Sequence, residues 1–339
     1  MSTPDSLWFV HAGKSNALVD DFLQNDLVAI EWRELGFLDP GISDEELAKA
    51  LAEAYPEDSD GTRAAWGGVI RRFLKEIKPG DRVATYEPDR RLYHLGTVES
   101  DPKWREGERL PRSRKVKWTH SVQRDLLSAG TRNSLGAIST LFHPSPEAVQ
   151  EMSERAVPFD LTEKPSDVVV SALPPEAEGG ETLLRDETQQ KADEFIEDRL
   201  VKLKWDELQE LVAGLLRAMG YRTRVSEAGP DRGVDIFASP DGLGLQEPRI
   251  FVEVKHRKGT QMGAQEIRSF LGGRQPGDKC LYVSTGGFSK DARYEADRSS
   301  VPLTLIGLGQ LRELLVEHYE GLDSQTRALV PLERLYWPV

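Results

Sequence analysis

Apolar and polar residues alternate most cleanly over Arg249–Lys255, where Ile250, Val252 and Val254 interleave with Phe251, Glu253 and Lys255. A strand has a side-chain period of two, so Glu253 and Lys255 share one face. An earlier run, Ile236-Phe237-Ala238, is separated from it by the turn Ser239-Pro240-Asp241-Gly242-Leu243-Gly244, which predicts a hairpin. Asp235 stands just before the first run, where pairing can bring its carboxylate beside Glu253. Upstream, Leu208, Leu211, Val212, Leu215 and Leu216 fall at helical spacing and Gly220 ends the helix. Downstream, the pattern predicts a helix over Gly263–Leu271, a buried strand over Lys279–Ser284 and a tight loop from Thr285 to Ser289. A last strand over Pro302–Ile306 and a closing helix over Leu308–Glu317 complete the region. Strands flanked by helices in this order predict an α/β/α sandwich over residues 205–320.

The first 145 residues carry another rhythm. Leu7–His11, Leu27–Trp32, Arg82–Tyr86, Tyr93–Glu99 and Ser113–Trp118 read as short strands. Ser43-Asp44-Glu45-Glu46 is a capping box opening a helix through Ala54. Thr62–Ile77 is a second helix with Trp66, Ile70, Phe73 and Leu74 on one face. These elements predict a small α+β barrel, so the fold class combines α/β and α+β parts. Residues 146–204 read as an acidic linker with a connecting helix over Thr182–Lys204, and residues 321–339 as an apolar C-terminal docking tail.

The chain has 339 residues, 38% of them hydrophobic, enough for two or three cores. It contains no apolar run long enough to span a membrane, and a polar N-terminus including Asp5 predicts no secretory signal. The single cysteine, Cys280, excludes an internal disulfide framework and predicts a cytoplasmic location. A net charge of −13 is unsuited to nucleic acid until it is divided. Residues 1–62 hold 3 basic and 14 acidic groups, and residues 145–200 hold 5 and 15; residues 63–124 hold 16 basic and 8 acidic. The acidity thus lies in the N-terminal stretch and linker, leaving a basic segment where phosphate could be met. Arg105, Arg109, Arg112, Arg114, Lys115 and Lys117 cluster there around Pro111. They serve either as phosphate contacts or as a solvated face.

Two carboxylates and an amine at one sheet end suit a hard cation, because Mg²⁺ is held by one or two carboxylates with waters and phosphate oxygens. Such an ion acidifies water and neutralises leaving-group charge, and a neighbouring lysine stabilises developing negative charge. The plainer alternative makes Glu253 and Lys255 the solvated face of an edge strand. Asp235…Glu253-Val254-Lys255 resembles the core of the PD-(D/E)XK nucleases. With Gly229-Pro230-Asp231-Arg232-Gly233-Val234-Asp235-Ile236, Glu253-Val254-Lys255-His256 and Tyr282–Phe288, the chain resembles the Mrr-type restriction endonuclease domain over roughly Trp205 to Leu315. The resemblance implies that Asp235 and Glu253 ligate Mg²⁺ (Mn²⁺ as substitute) and that Lys255 positions the attacking water. A family helix that often supplies a further glutamate aligns with Trp205–Met219 and places Gln209 there, beside Glu210, a departure from the pattern. Gln265 or Arg268 on the following helix could contact phosphate, as could backbone amides at the end of the Thr285–Ser289 loop.

The N-terminal motifs Val28-Ala29-Ile30-Glu31-Trp32, Lys78-Pro79-Gly80-Asp81-Arg82-Val83 and His94-Leu95-Gly96-Thr97-Val98 are similar to those of the PUA superfamily, particularly its EVE and YTH-like members. That likeness implies an aromatic cage for a modified base flipped from its helix, a chemistry that suits stacking with polar edge readout. Trp32, Trp66, Trp104 and Trp118 are candidates for the cage or for the core; Trp66 is placed in the core, and Trp32 and Trp118, near strand ends, in the pocket. Together these readings predict a modification-dependent restriction endonuclease acting with Mg²⁺ on double-stranded DNA carrying modified bases, as a homodimer at least on DNA. The alternatives are a non-catalytic reader of modified nucleic acid and a repair or RNA-directed nuclease. No catalytic Ser/His/Asp order, Cys/His zinc spacing or P-loop is present.

Overall fold

In the computed structural model the described residues are 7–13, 16–137, 139–159, 180–226, 234–275 and 277–336. The Gly229–Gly233 part of the glycine frame, the linker over 160–179 and the last three residues lie outside them. The chain divides into two compact units, Met1–Lys191 and Ala192–Val339.

The first unit is built on a curled eight-stranded sheet. Its strands are β1 (Leu7–Val10), β2 (Leu27–Ile30), β3 (Arg82–Glu87), β4 (Leu92–Val98), β5 (Lys103–Trp104), β6 (Arg112–Gln123), β7 (Leu141–Phe142) and β8 (Val157–Pro158). The main path runs β2-β6-β4-β3-β1-β7, with β5 and β8 pairing to β6. β6 is long enough to pair with β2 at one end and β4 along the other, which bends the sheet into a half-barrel. A register shift between Leu95 and Gly96 lets β6 curl: a side chain at Gly96 would meet Val116, Lys117 and Trp118, so only glycine fits.

Helices α1 (Val19–Gln24), α2 (Asp44–Ala54) and α3 (Asp60–Arg71) cover the main core, in which Trp8, Val10, Phe22, Ile30, Trp66, Ile70, Phe73, Val83, Val116 and Trp118 pack. Ser43 and Glu46 form the reciprocal capping box at the start of α2. The helix predicted to reach Ile77 leaves α geometry at Arg72, and residues Arg72–Glu76 form a π-helical turn. Helices α4 (Ala129–Leu135) and α5 (Pro146–Arg155) belong to the opposite side, where Phe9, Tyr86, Tyr93, Leu95 and Met152 form a second core.

Helix α6 (Gly180–Leu200) crosses the boundary in sequence, and the second unit is an α/β layer structure. Helix α7 (Trp205–Ala218) is followed by β9 (Arg222–Val225), β10 (Ile236–Ser239), β11 (Ile250–Lys255), α8 (Ala264–Leu271), β12 (Lys279–Ser284), α9 (Lys290–Asp297), β13 (Leu303–Ile306), α10 (Leu308–His318) and α11 (Ser324–Leu329). The sheet order is β13-β12-β11-β10-β9, with β9, β10 and β11 antiparallel and β11, β12 and β13 parallel. Alternation along β11 separates two cores. Val252 and Val254 join α7, α10 and Ile306 on one face, while Phe251 packs with Cys280, Tyr282, Phe270 and Phe288 on the other. Cys280 is buried there, and burial pushes its thiol up to about 11, as expected of a packing residue. Among residues 322–336, Leu322, Val330 and Leu332 pack into the unit's own core, whereas Leu335 and Tyr336 are exposed. Among the described residues no helix is long and apolar enough to cross a membrane.

Candidate active site

The β10–β11 register pairs Ile236 with Val252, so Asp235 falls one step beyond, opposite Glu253. The Asp235 amide donates to Val252 O at 2.9 Å, and its Oδ2 accepts from the Val254 amide at 2.7 Å. β10 ends at this point, so the Val254 amide lacks a strand partner and the carboxylate takes it. Glu253 is 5% exposed and pairs with the Lys255 ammonium through Oε1. Its Oε2 is buried with no hydrogen-bond partner. From α7, Gln209 is 3% exposed and stands near Asp235, whose charged form it favours, while its Nε2 is buried with no hydrogen-bond partner among the described residues. Glu210, its neighbour, instead pairs with Arg217 at 2.6 Å.

Four side chains predicted from sequence, Asp235, Glu253, Lys255 and Gln209, therefore meet at one sheet end. Burial holds the Asp235 carboxyl above its ordinary range; the Glu253 carboxylate pushes the same way, against the Val254 amide and Lys255. Tyr282 pairs with Glu253 across the parallel strands. Burial, with these carboxylates adding to it, raises its phenol well above the ordinary tyrosine range. Two carboxylates this close, one with a bare buried oxygen, are short of positive charge and of donors. A hard cation bound through Asp235 and Glu253 would satisfy both, so the residues present fit such an ion. No group of three or more His, Cys, Asp or Glu suited to a metal occurs among the described residues, because α7 supplies an amide at Gln209 rather than a third carboxylate.

Gln265 is exposed on α8, free of the packing made by Ile267 and Phe270. Arg268 pairs with Glu295 at 2.7 Å. Three amides of the Thr285–Ser289 loop are already engaged: Thr285 N donates to Lys255 O and Ser289 N to Met262 O, while Gly286 N donates to Ser284 Oγ. The loop is consumed in holding the segment that follows Lys255.

In the first unit, the aromatic and basic candidates separate. Trp118 is 3% exposed and its indole N–H donates to Phe22 O at 3.2 Å. It is a core residue, placed there because β6 crosses the floor of the half-barrel rather than ending at it. Trp66 packs edge-on with Tyr55 at 5.1 Å and near Trp32 at 6.1 Å. Trp32 is also buried, at 4%, but its Nε1 has no partner, and its backbone is left-handed at φ 65°. The adjacent Glu31 likewise leaves Oε1 buried and unpartnered. A left-handed non-glycine backbone and unsatisfied buried polar atoms thus coincide in consecutive residues.

Arg112 and Arg114 are buried, against expectation. Arg112 donates to the carbonyls of Glu31, Trp32 and Gly36, and Arg114 to those of Phe73, Ser100 and Leu74. Burial lowers both guanidinium groups to about 10. The orphan carbonyls come from the αL corner at Trp32 and the π-helical turn, which a basic side chain on β6 can reach and cap. Of the predicted phosphate contacts, Arg105 and Lys117 are exposed, and Arg105 pairs with Glu108 at 3.2 Å. Sequence reasoning missed Glu31, Tyr282 and Thr285; the first two were legible as the neighbour of Trp32 and the strand partner of Glu253, the third only in three dimensions.

Comparison with known families gives the class of the second unit. A family model described as restriction endonuclease, of the Mrr catalytic type, matches residues 200–315, so this part of the chain is the domain of a DNA nuclease. Residues 8–141 match a family described as a domain of unknown function. No curated protein matches the chain in sequence. Three solved structures are similar at a distance. One is a crystallised protein of unknown function, at 18% identity and TM-score 0.26, covering 39% of this chain and 73% of that one. The MspJI restriction endonuclease in complex with a 27-mer oligonucleotide follows at 16% identity and TM-score 0.28, over 77% of this chain and 65% of that one. The DNA modification-dependent restriction endonuclease AspBHI shows 14% identity and TM-score 0.32, over 89% and 77%. These likenesses are too distant to bear on mechanism.

Proposed function

We propose that the protein is a modification-dependent restriction endonuclease that hydrolyses DNA phosphodiesters with Mg²⁺ after its first unit reads a modified base. The observation that carries the reading is the convergence of Asp235, Glu253, Lys255 and Gln209 on one sheet end, with a buried carboxylate oxygen of Glu253 left without a partner. Asp235 and Glu253 would hold the ion, with Mn²⁺ able to substitute; bound there, it supplies an acidified water and a counter-charge for the leaving oxygen. Lys255, now paired with Glu253, turns its ammonium to the attacking water and the charge that develops on phosphate. Gln209 stands near Asp235, and its buried Nε2, without a partner among the described residues, would donate to that carboxylate and orient it. Trp32 and Glu31 offer an N–H donor and a carboxylate acceptor in consecutive residues, groups of the kind that read the polar edge of a flipped base. Arg105 and Lys117 would meet phosphate beside that unit, and Gln265 beside the nuclease site. Cutting both strands requires two copies of the site, supplied by a homodimer on DNA.

The test is Mg²⁺-dependent cleavage of matched plasmids, unmodified or carrying 5-methylcytosine, 5-hydroxymethylcytosine or N6-methyladenine, with Asp235→Ala alongside. Cutting restricted to a modified plasmid and lost in the variant supports both units' roles. Indiscriminate cutting, lost in the variant, sinks the modified-base reading and keeps the nuclease. Tight binding of one substrate without any cutting points to a non-catalytic reader, the reading that Gln209 in place of a third carboxylate favours.

A further inference from the structure

The nuclease reading leaves one buried feature unused, the Thr285–Gly286 corner after β12. We propose that Thr285 is a positioning residue of the nuclease site, which fixes the direction of Lys255 by gripping the three residues 255–257 and setting the tautomer of His256. The inference rests on that reading. Three consecutive contacts carry it: Thr285 N donates to Lys255 O at 3.1 Å, Thr285 Oγ1 lies 3.0 Å from His256 Nδ1, and Oγ1 accepts from Arg257 N at 3.0 Å. The hydroxyl is 2% exposed as a residue, so water does not compete for it.

Proton accounting then decides the ring. Thr285 Oγ1 has one hydrogen to give, and it already accepts the Arg257 amide. Its possible acceptors are His256 Nδ1 at 3.0 Å and Arg257 O at 3.5 Å. The nearer is of hydrogen-bonding length and the farther is at its limit, so we assign the hydroxyl proton to Nδ1; the converse, Nδ1–H donating to Oγ1, would turn the hydroxyl to its poorer acceptor, Arg257 O. A neutral imidazole that accepts at Nδ1 carries its hydrogen on Nε2. The geometry around the hydroxyl is closed as well. A Cβ on Gly286 would collide with the carbonyl oxygens of Thr260 and Arg257, so the corner lies directly on the backbone of the segment it holds. Met262 N donates to Gly287 O at 3.0 Å and Ser289 N to Met262 O at 2.9 Å, which ties the far end of the segment.

Lys255 is the last residue of β11, so β11 pairing fixes it on one side only. Its ammonium must nevertheless stay on Glu253 and face the reacting phosphate. A misplacement of about 1 Å in such a group costs about 10²-fold in rate. Replacing the hydroxyl by a methyl of the same shape removes the grip on His256 and Arg257 while leaving the backbone bond to Lys255.

The experiment uses the full chain. Ring-nitrogen NMR of His256, assigned with His256→Gln, is read in the parent, where the Nε2–H tautomer is expected; a proton on Nδ1 overturns the proposal without any variant. Thr285→Val and Thr285→Ser are then compared for kcat and KM on the plasmid that the parent cuts. Thr285→Val is expected to lose about 10–100-fold in kcat with KM and melting temperature near the parent's, and Thr285→Ser to restore the rate. Unchanged kcat in Thr285→Val, or a loss that Thr285→Ser fails to rescue, overturns the positioning role. A parent that cuts no plasmid fails the nuclease reading itself, and the positioning role with it.

Discussion

Lys255 and Arg114 are both cations on strands, each on a segment that sequence alone assigns to phosphate chemistry, and they end in opposite situations. Lys255 sits with a half-buried carboxylate, Asp235, and a buried one, Glu253, which retains an unpartnered oxygen. Arg114 gives its guanidinium to three main-chain carbonyls and stacks over Phe73 at 5.5 Å. The first group of charges is incomplete and waits for a ligand; the second is complete and closes a fold. What marks a functional charge is therefore the valence left over after packing, not the sign or density of charge along the sequence.

The sharpest way to break this contrast is to remove the cation that is argued to work. Lys255→Met is expected to lower the cleavage rate by about 10²–10³-fold while DNA affinity stays near the parent value, measured by cleavage kinetics beside equilibrium binding. Asp235→Asn sharpens it from the other side. Burial raises the Asp235 carboxyl in the folded chain; a raised carboxyl costs the folded state stability above its folded pKa, and the cost disappears as pH falls through that pKa toward the ordinary value. Without divalent metal, parent stability relative to Asp235→Asn should fall as pH rises through that window, and the variant, which keeps an oxygen for the Val254 amide, should melt higher at neutral pH and cut nothing. Equal melting at neutral pH would mean that the carboxylate is not under strain.

Arg114→Ala addresses the complete group. It leaves the carbonyls of Phe73, Leu74 and Ser100 without their donor, and at about 1–3 kcal/mol for each buried unsatisfied group, partly relieved by relaxation, the first unit should lose about 2–4 kcal/mol. Chemical denaturation followed by tryptophan fluorescence measures this, and the salt dependence of DNA binding should not move. A changed salt slope with unchanged stability would return Arg114 to phosphate.

The same contrast explains what was legible in the sequence. Period-two alternation along β11 and a hairpin register convert spacing directly into geometry, so Asp235, Glu253 and Lys255 were placeable from residues alone, as was the layer order around them. Gln209 was indicated by the family resemblance alone, which aligns this helix with one that often supplies a glutamate; the helical spacing itself showed only the apolar face of Leu208 and Leu211. In the first unit the strands were readable but their curl was not. That curl depends on the Leu95–Gly96 register shift and on a twelve-residue β6, and it decides that Trp118 lies on the floor and Arg112 beneath the Trp32 corner. The π-helical turn, which supplies the acceptors for Arg114, has no hydrophobic-period signature. Side chains whose fate depends on distant backbone are the ones that spacing cannot assign.

Trp32 and Trp118 divide in the same way. Trp118→Phe deletes a satisfied hydrogen bond to Phe22 O and should cost about 1 kcal/mol of stability without altering substrate choice. Trp32→Phe deletes an N–H with no partner among the described residues, so stability should hold or rise. If that N–H serves a flipped base, the preference for modified over unmodified DNA should fall by about 5–10-fold, the worth of one hydrogen bond, read as a ratio of binding constants.

The smallest effect is expected at Lys117, whose ammonium is exposed at the surface of β6 between two buried neighbours, Val116 and Trp118. Alternation along the strand forces it outward, whereas Arg112 and Arg114, at the opposite parity, turn inward. Lys117→Ala should leave folding unchanged and weaken DNA binding evenly across modified and unmodified sequences. The slope of binding against salt should flatten by about one counterion. An unchanged slope would reduce Lys117 to a solvated charge. The basic segment over 105–117 would then contribute to this protein chiefly by capping carbonyls, and the phosphate contacts of the first unit would have to be sought near Trp32 instead.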